Sequence, residues 1–524
     1  MLRLKGVIVR RGWKLVALAA SIVLMAAMAA PSIAAVPTDT TELRKAVTLA
    51  GVRAHQEALQ NIADANGGTR ASGTSGYVAS ADYVQEVLEG LKGPDGDGYY
   101  SVVQQAFDYE FFVVDADPVL DATGAGVGPY EPGVDIGVME YSGGGDVTAA
   151  VTPVDLVLPP AAQANTSTSG CEASDFAGFP AGNIALIQRG TCTFRLKADN
   201  AAAAGASAAI IFNEGQEGRT DLIIGTLSPP QAAIPVLDAT FAVGNELAGL
   251  ALEGELTVRA AAFVHVEQRT TTNVIADSAS GRTNRTLMVG AHLDSVDEGP
   301  GINDNGSGSA AILETAVQMA ELGIEPRNAV RFAFWGAEES GLIGSQYYVD
   351  SLTRQQLSDV EAYLNFDMVG SPNFVRFVYD GDGSAFGVKG PSGSGHIEDT
   401  FAGFFASQGL QSEPTAFDGR SDYDAFINVG IPAGGLFTGA EGIKTPEEAE
   451  IYGGIAGEAY DPCYHLACDT YDNNSDEGLD QMSDAIAHAT LLYAMSTSSV
   501  NGTAKASPKA AEAQMEFHGS HRIR

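Results

Sequence analysis

The sequence predicts an α/β fold with a β-rich second domain inserted into it. The apolar runs Asn273-Val274-Ile275-Ala276, Thr286-Leu287-Met288-Val289-Gly290 and Ala329-Val330-Arg331-Phe332-Ala333-Phe334-Trp335 read as strands. A helical stretch over residues 309–322 separates the last two, which is the alternation of an α/β sheet. From about Asp115, glycine, proline and β-branched residues dominate and helix-length periodicity vanishes until Arg195, which marks the insert. With 524 residues, 45% of them hydrophobic, the chain has apolar material for more than one core.

Taken in order, residues 1–35 read as a signal peptide. Arg3, Lys5, Arg10, Arg11 and Lys14 precede an apolar run over 15–30, and Ser32-Ile33-Ala34 offers a small-x-small cleavage site. The run is shorter than the roughly 20 residues a spanning helix needs, so no stable membrane anchor is expected after cleavage. Residues 36–114 form the first part of the main domain, with a helix predicted over 41–63. The break Gly67-Gly68-Thr69-Arg70-Ala71-Ser72-Gly73 follows, then a second amphipathic stretch through Tyr83, Val84, Val87 and Leu88.

Residues 115–262 form the insert, in which Asn183-Ile184-Ala185-Leu186-Ile187 reads as a buried strand, 197–204 as an alanine-rich helix and Ala208-Ala209-Ile210-Ile211-Phe212 as a second strand. This order resembles a protease-associated (PA) domain, with its best signature over 182–214. No acid, base or metal constellation occurs there, so a lid, steering or binding role is expected of it. Residues 263–500 complete the main domain, and 501–524, polar and without period, are expected to be a disordered tail.

Acids outnumber bases by 66 to 29, a formal charge of −37, which excludes a phosphate-rich partner such as nucleic acid. A solvated surface accounts for such a balance, and attraction of cationic amino termini is the sharper reading. Of the four cysteines, Cys171 with Cys192 and Cys463 with Cys468 fit disulfides in an exported protein, because neither pair has the C-x-x-C spacing of a zinc knuckle. The expected location is extracellular or periplasmic.

Chemistry gathers just beyond the predicted strands, where α/β sheets place their sites. His292-Leu293-Asp294 offers an imidazole for a metal and a carboxylate to orient it or the loop; alone it reads equally as a hydrogen-bonded histidine. Gly301-Ile302-Asn303-Asp304-Asn305-Gly306-Ser307-Gly308 opens the next helix, and Asp304 argues for a metal carboxylate because it would repel phosphate. In Trp335-Gly336-Ala337-Glu338-Glu339-Ser340-Gly341, one glutamate can bind metal while its neighbour faces an activated water. Asn365-Phe366-Asp367-Met368 adds a third carboxylate ligand candidate and Cys463-Tyr464-His465 a second histidine, a donor set suited to divalent ions.

Together these five motifs, in this order, closely resemble the family-28 metallopeptidases, specifically secreted bacterial leucyl-type aminopeptidases, over residues 41–500. The resemblance implies a zinc-exopeptidase fold, with a central mixed β-sheet between helices. It implies two zinc ions bridged by Asp304, one completed by His292 and Asp367, the other by Glu339 and His465. Glu338 matches the general base acting on a zinc-bridging water, Asp294 the carboxylate behind His292, and Tyr464 a phenol donating to the oxyanion. Arg420 matches a residue near the substrate or a surface ion pair; Met368 and Phe437 match an apolar specificity pocket or core positions. Calcium is admitted without assigned ligands.

The expected substrates are amino termini of peptides or proteins, with large apolar, leucine-type first residues. The same zinc framework also serves carboxypeptidases and glutaminyl cyclases. A carboxypeptidase needs cations to grip a terminal carboxylate, and the motif segments hold few apart from Arg420. A catalytically inactive binding protein is the alternative of a different class.

Overall fold

The computed structural model describes residues 38–501 except Glu217, Ile224 and Glu255. The expected signal peptide and the expected tail beyond Asn501 lie outside the described residues. The helix anticipated over 41–63 is two, Thr41–Ala46 and Leu49–Ala65. Val47 is extended, and Thr48 restarts the helix by accepting a hydrogen bond from the Gly51 amide. Helix Ser75–Gly90 begins in the same way at Thr74.

The central sheet is mixed. Strands Ala433–Phe437, Val360–Phe366, Arg282–His292 and Asn328–Trp335 lie side by side and parallel. Thr257–Ser278 joins the last of them antiparallel, and Tyr100–Asp121 pairs antiparallel with Thr257–Ser278. Side chains alternate between two cores, as the period of a strand requires. Val274, Leu287, Val289, Phe332 and Phe334 pack under helices Leu49–Ala65, Ser75–Gly90, Gly306–Glu321 and Asp476–Met495. Ile275, Met288, Ala333, Trp335 and Tyr363 pack under Ile343–Ser351 and Tyr423–Asn428. Both faces of the sheet are thus closed, and each Val, Leu, Ile, Phe or Met side chain buried there contributes about 1.5–3 kcal/mol.

A separate core gathers residues from Phe112 to Val264. Its strands Gly145–Val154, Ile184–Gln188, Ala208–Phe212 and Val236–Ala239 are parallel, with helices Phe194–Ala203 and Phe241–Glu253 against them. Ile184–Gln188 and Ala208–Phe212 are buried along their whole length, which is why they appear in the sequence as unbroken apolar runs. Tyr100–Asp121 and Thr257–Ser278, 22 residues each, form a ribbon running through both cores. Residues 274–277 pair with Asn328–Trp335, and residues 257–262 with Gly145–Val154. The insert boundaries expected at 115 and 262 therefore fall inside continuous strands.

Candidate metal centre

The parallel strands deliver the chemistry at their carboxyl ends. His292 closes Arg282–His292, Glu338 and Glu339 follow Asn328–Trp335, and Asp367 follows Val360–Phe366. Asp304 precedes helix Gly306–Glu321, whose cap Asn305 accepts from the Gly308 amide at 2.9 Å. A Cβ at Gly308 would stand 2.2 Å from the Phe366 carbonyl oxygen, so glycine lets the helix start approach the strand end that carries Asp367. His465 comes from the loop closed by the Cys463–Cys468 disulfide; Cys171 and Cys192 are joined as well.

Asp304 lies between two histidines. The His292 Nε2 is 3.2 Å from Asp304 Oδ1 and 3.2 Å from Asp367 Oδ1. The His465 Nε2 is 3.0 Å from Asp304 Oδ2 and 3.2 Å from Glu339 Oε2. A ring nitrogen carries at most one proton, yet each of these faces two carboxylates. Two imidazolium charges would not neutralise Asp304, Glu338, Glu339 and Asp367, all enclosed here, and the buried Glu339 Oε1 has no hydrogen-bond partner. Divalent cations between these atoms would remove both mismatches, so the donor set fits metal, with His292, Asp304 and Asp367 as one trio and Asp304, Glu339 and His465 as another.

The carboxyls respond to this crowding. Burial raises Glu338 well above the ordinary carboxylate range, His292 opposing and Glu339 and Asp367 adding. Burial also pushes Glu339 up to about 7 against the pull of His465. For His465 burial disfavours the charged ring, but Glu339 and Asp304 carry it to about 10. Asp304 is held below its ordinary value, its two histidines outweighing burial.

Several supports lie outside the motif residues. Arg70, fully buried, donates through Nε to the Pro300 carbonyl at 2.8 Å, through one Nη to Gly301 at 2.6 Å and through the other to Leu293, tying down the loop between His292 and Asp304. Asp469 accepts the amides of Asn303 and Asp304 at 2.8 and 2.9 Å. Ser421 Oγ donates to Asp367 Oδ2 at 2.6 Å. The His292 Nδ1 lies 3.1 Å from the main-chain oxygen of Asp294 and 3.7 Å from its carboxylate; that carboxylate accepts the Glu338 amide at 3.3 Å.

Two cavities open on the cluster. One, of about 70 Å³, is lined by His292, Asp304, Glu338, Glu339 and Asp367 together with Met368, Phe437, Arg420 and Tyr464. Every expected site residue except Asp294 therefore lines this space or, like His465, shares it with the second cavity, where Asp294 lies. Arg420 pairs with Glu441 at 2.7 Å, and an Nη donates to the Tyr464 hydroxyl at 3.3 Å. Away from the cluster, Asp380, Asp382 and Glu398 could hold a cation. Asp380 accepts the amides of Ser384, Ala385 and Phe386, and Glu398 that of Asp382, which accounts for this group without one.

Comparison with known proteins gives two family matches: Peptidase family M28 over residues 273–490 and PA domain over residues 151–247. An aminopeptidase of Pseudomonas aeruginosa is 48% identical over 460 residues, 87% of this chain and 83% of its own. Leucine aminopeptidase 2 of Arthroderma otae is 40% identical over 87% of this chain and 86% of its own. Among solved structures, an aminopeptidase from Aneurinibacillus sp. strain AM-1 superposes with a TM-score of 0.67 at 27% identity, covering 86% of this chain and 95% of that one.

Proposed function

The chain belongs to peptidase family M28, as an aminopeptidase carrying a PA domain, and on that premise we propose that it is an exported, two-zinc enzyme releasing large apolar residues from amino termini. The observation that carries the reading is Asp304, whose two oxygens each face a different histidine, each histidine facing a further carboxylate. In this reading His292 and Asp367 would hold one zinc and Glu339 and His465 the other, with Asp304 available to each. Bound there, the two ions would supply Lewis acidity toward the scissile carbonyl and toward a shared water.

The chain's own residues do the rest. Glu338, buried beside His292 and Glu339 and lining the cavity, takes a proton from the attacking water and passes it to the departing amine. Its amide is fixed on Asp294, which holds the carboxylate in place. The Tyr464 hydroxyl donates to the oxyanion as it forms, with the Arg420 guanidinium beside it. Met368 and Phe437 give the small cavity apolar walls, which supports a leucine-type preference, as do the leucine aminopeptidase relatives. Export is supported by the two disulfides, and no described helix is long and apolar enough to cross a membrane.

The test is turnover of leucyl-nitroanilide beside its N-acetylated analogue, with metal analysis of protein purified without chelator. The free amine is expected to be cleaved, the blocked one not, and about two zinc ions per chain to be found. Equal turnover of both substrates, or protein that is active with no metal, would refute the reading.

A further inference from the structure

The two cavities meet at Glu339, Tyr464 and His465 and differ elsewhere. The first, about 70 Å³, has room for one side chain. The second, about 730 Å³, lies between the ribbon strand Tyr100–Asp121, which offers Phe111, Phe112, Val113 and Val114, and the loop of residues 294–298. Spaces of about 300–1,000 Å³ bury ligands of several residues' bulk. An enzyme acting at an amino terminus has one residue on one side of the scissile bond and the remaining chain on the other. The small cavity suits the first and the large one the second.

The large cavity is charged in one sense. Glu140, Asp294, Asp297, Glu298, Glu339 and Glu441 line it, and no lysine or arginine does among the described residues. Glu441 is engaged by Arg420, and Glu339 faces the metal centre. Asp297 and Glu298 are exposed and form no ion pair among the described residues. Partial enclosure by the cleft raises the Asp297 carboxyl above its ordinary value, Arg269 opposing and Glu298 adding. Arg269 itself stacks over Phe111 at 3.4 Å and pairs with Glu267 at 2.9 Å, so its charge is shared. Asp294, 1% exposed, adds an Oδ2 that has no hydrogen-bond partner. Apolar walls with an excess of acids over bases suit an aliphatic stem ending in a cation.

We propose that this cleft binds the leaving chain and selects peptides with lysine or arginine among the first residues beyond the scissile bond. The proposal rests on the aminopeptidase reading above. Its experiment compares kcat/KM of the full-length protein on Leu-Ala-Lys-Ala-amide and Leu-Ala-Glu-Ala-amide. At low ionic strength the lysine peptide is expected to be favoured about tenfold, a margin that shrinks in about 0.5 M salt as charges are screened.

Because the whole chain is acidic, a general field must be separated from a local one. The Asp297→Asn, Glu298→Gln double variant is expected to bring the ratio of the two peptides close to one. The Glu86→Gln, Glu89→Gln variant removes as many charges from exposed positions that do not line the cleft, and should keep the ratio. Reading a ratio within each protein cancels any general loss of activity. Equal kcat/KM on both peptides, or equal losses of preference in the two variants, would overturn the selection while leaving the aminopeptidase reading intact. Failure to cleave either peptide or leucyl-nitroanilide would overturn that reading and this one with it.

Discussion

Glu214 in the inserted domain and Glu339 in the main one are buried carboxylates in equivalent places, just past strands Ala208–Phe212 and Asn328–Trp335. Glu214 is saturated: its oxygens accept the amides of Asn165, Thr166 and Ser167 at 2.7–3.2 Å, and Arg219 stands 3.3 Å away. Glu339 keeps one oxygen without a partner and turns the other to His465. Both domains place charge at the carboxyl ends of parallel strands, where α/β folds carry their sites. What separates a structural carboxylate from a chemical one here is whether the backbone has already consumed its acceptor capacity. The inserted domain spends its buried charge on holding a loop, and the main domain leaves its own facing a cavity.

Glu338, next to the unsaturated Glu339, carries the largest expected effect. Glu338→Ala is expected to cut kcat on leucyl-nitroanilide by about 10²–10⁴-fold, the scale of a lost general base, without lowering the melting temperature. A variant that keeps full activity would remove the proposed base. Arg70→Met tests the support beneath the cluster. With three carbonyls released, it should cost about 3 kcal/mol or more of stability, and weaken metal binding about 10–100-fold. Chemical denaturation and a metal titration read the two effects, and an unchanged metal affinity would show that Arg70 holds only the fold.

Glu214→Ala is the counterpart in the other domain. It leaves the amides of Asn165, Thr166 and Ser167 without their acceptor, the last of them buried, and should cost about 1–3 kcal/mol, while kcat of the folded protein stays near wild type. A large fall in kcat at unchanged stability would give Glu214 a part in catalysis. The smallest effect concerns Lys197, buried in the insert and donating to the Ser169 carbonyl. Burial lowers its pKa to about 8 from 10.5, with Glu214 opposing. Between those values the unfolded chain binds more protons than the folded one, so this lysine makes stability rise with pH across that window. The difference in unfolding free energy between wild type and Lys197→Met should therefore grow in favour of wild type from pH 8 toward 10.5; a flat difference would contradict the shift.

Much of the site was legible because its residues stand directly after apolar strands whose ends the sequence marks. His292, Glu338, Glu339 and Asp367 each follow such a run, and Asp304 sits at a helix start announced by glycine and asparagine. The pairing of Asp304 with both histidines was reached through resemblance, since no spacing along the chain states which atoms meet. Arg70 was visible only as part of a glycine-rich break. It binds carbonyls more than 220 positions away, and neither periodicity nor motif spacing records such a contact. Ser421 and Asp469 were missed for the same reason, though both adjoin segments that carry predicted residues. The expected insert boundaries lie within the ribbon strands, which run from one core to the other, so no break in the chain marks where one domain gives way to the next. The acid-lined cleft is assembled from residues near 72, 112, 140, 296 and 441, so only folding brings its charges together.

That Asp304 stands between two metal ions is tested most directly by a crystal structure of zinc-loaded protein with anomalous data at the zinc edge. Two peaks are expected, one about 2.0–2.2 Å from atoms of His292, Asp304 and Asp367, the other at that range from Asp304, Glu339 and His465. A single peak, or a pair in which Glu338 is a ligand and Glu339 is not, would contradict it.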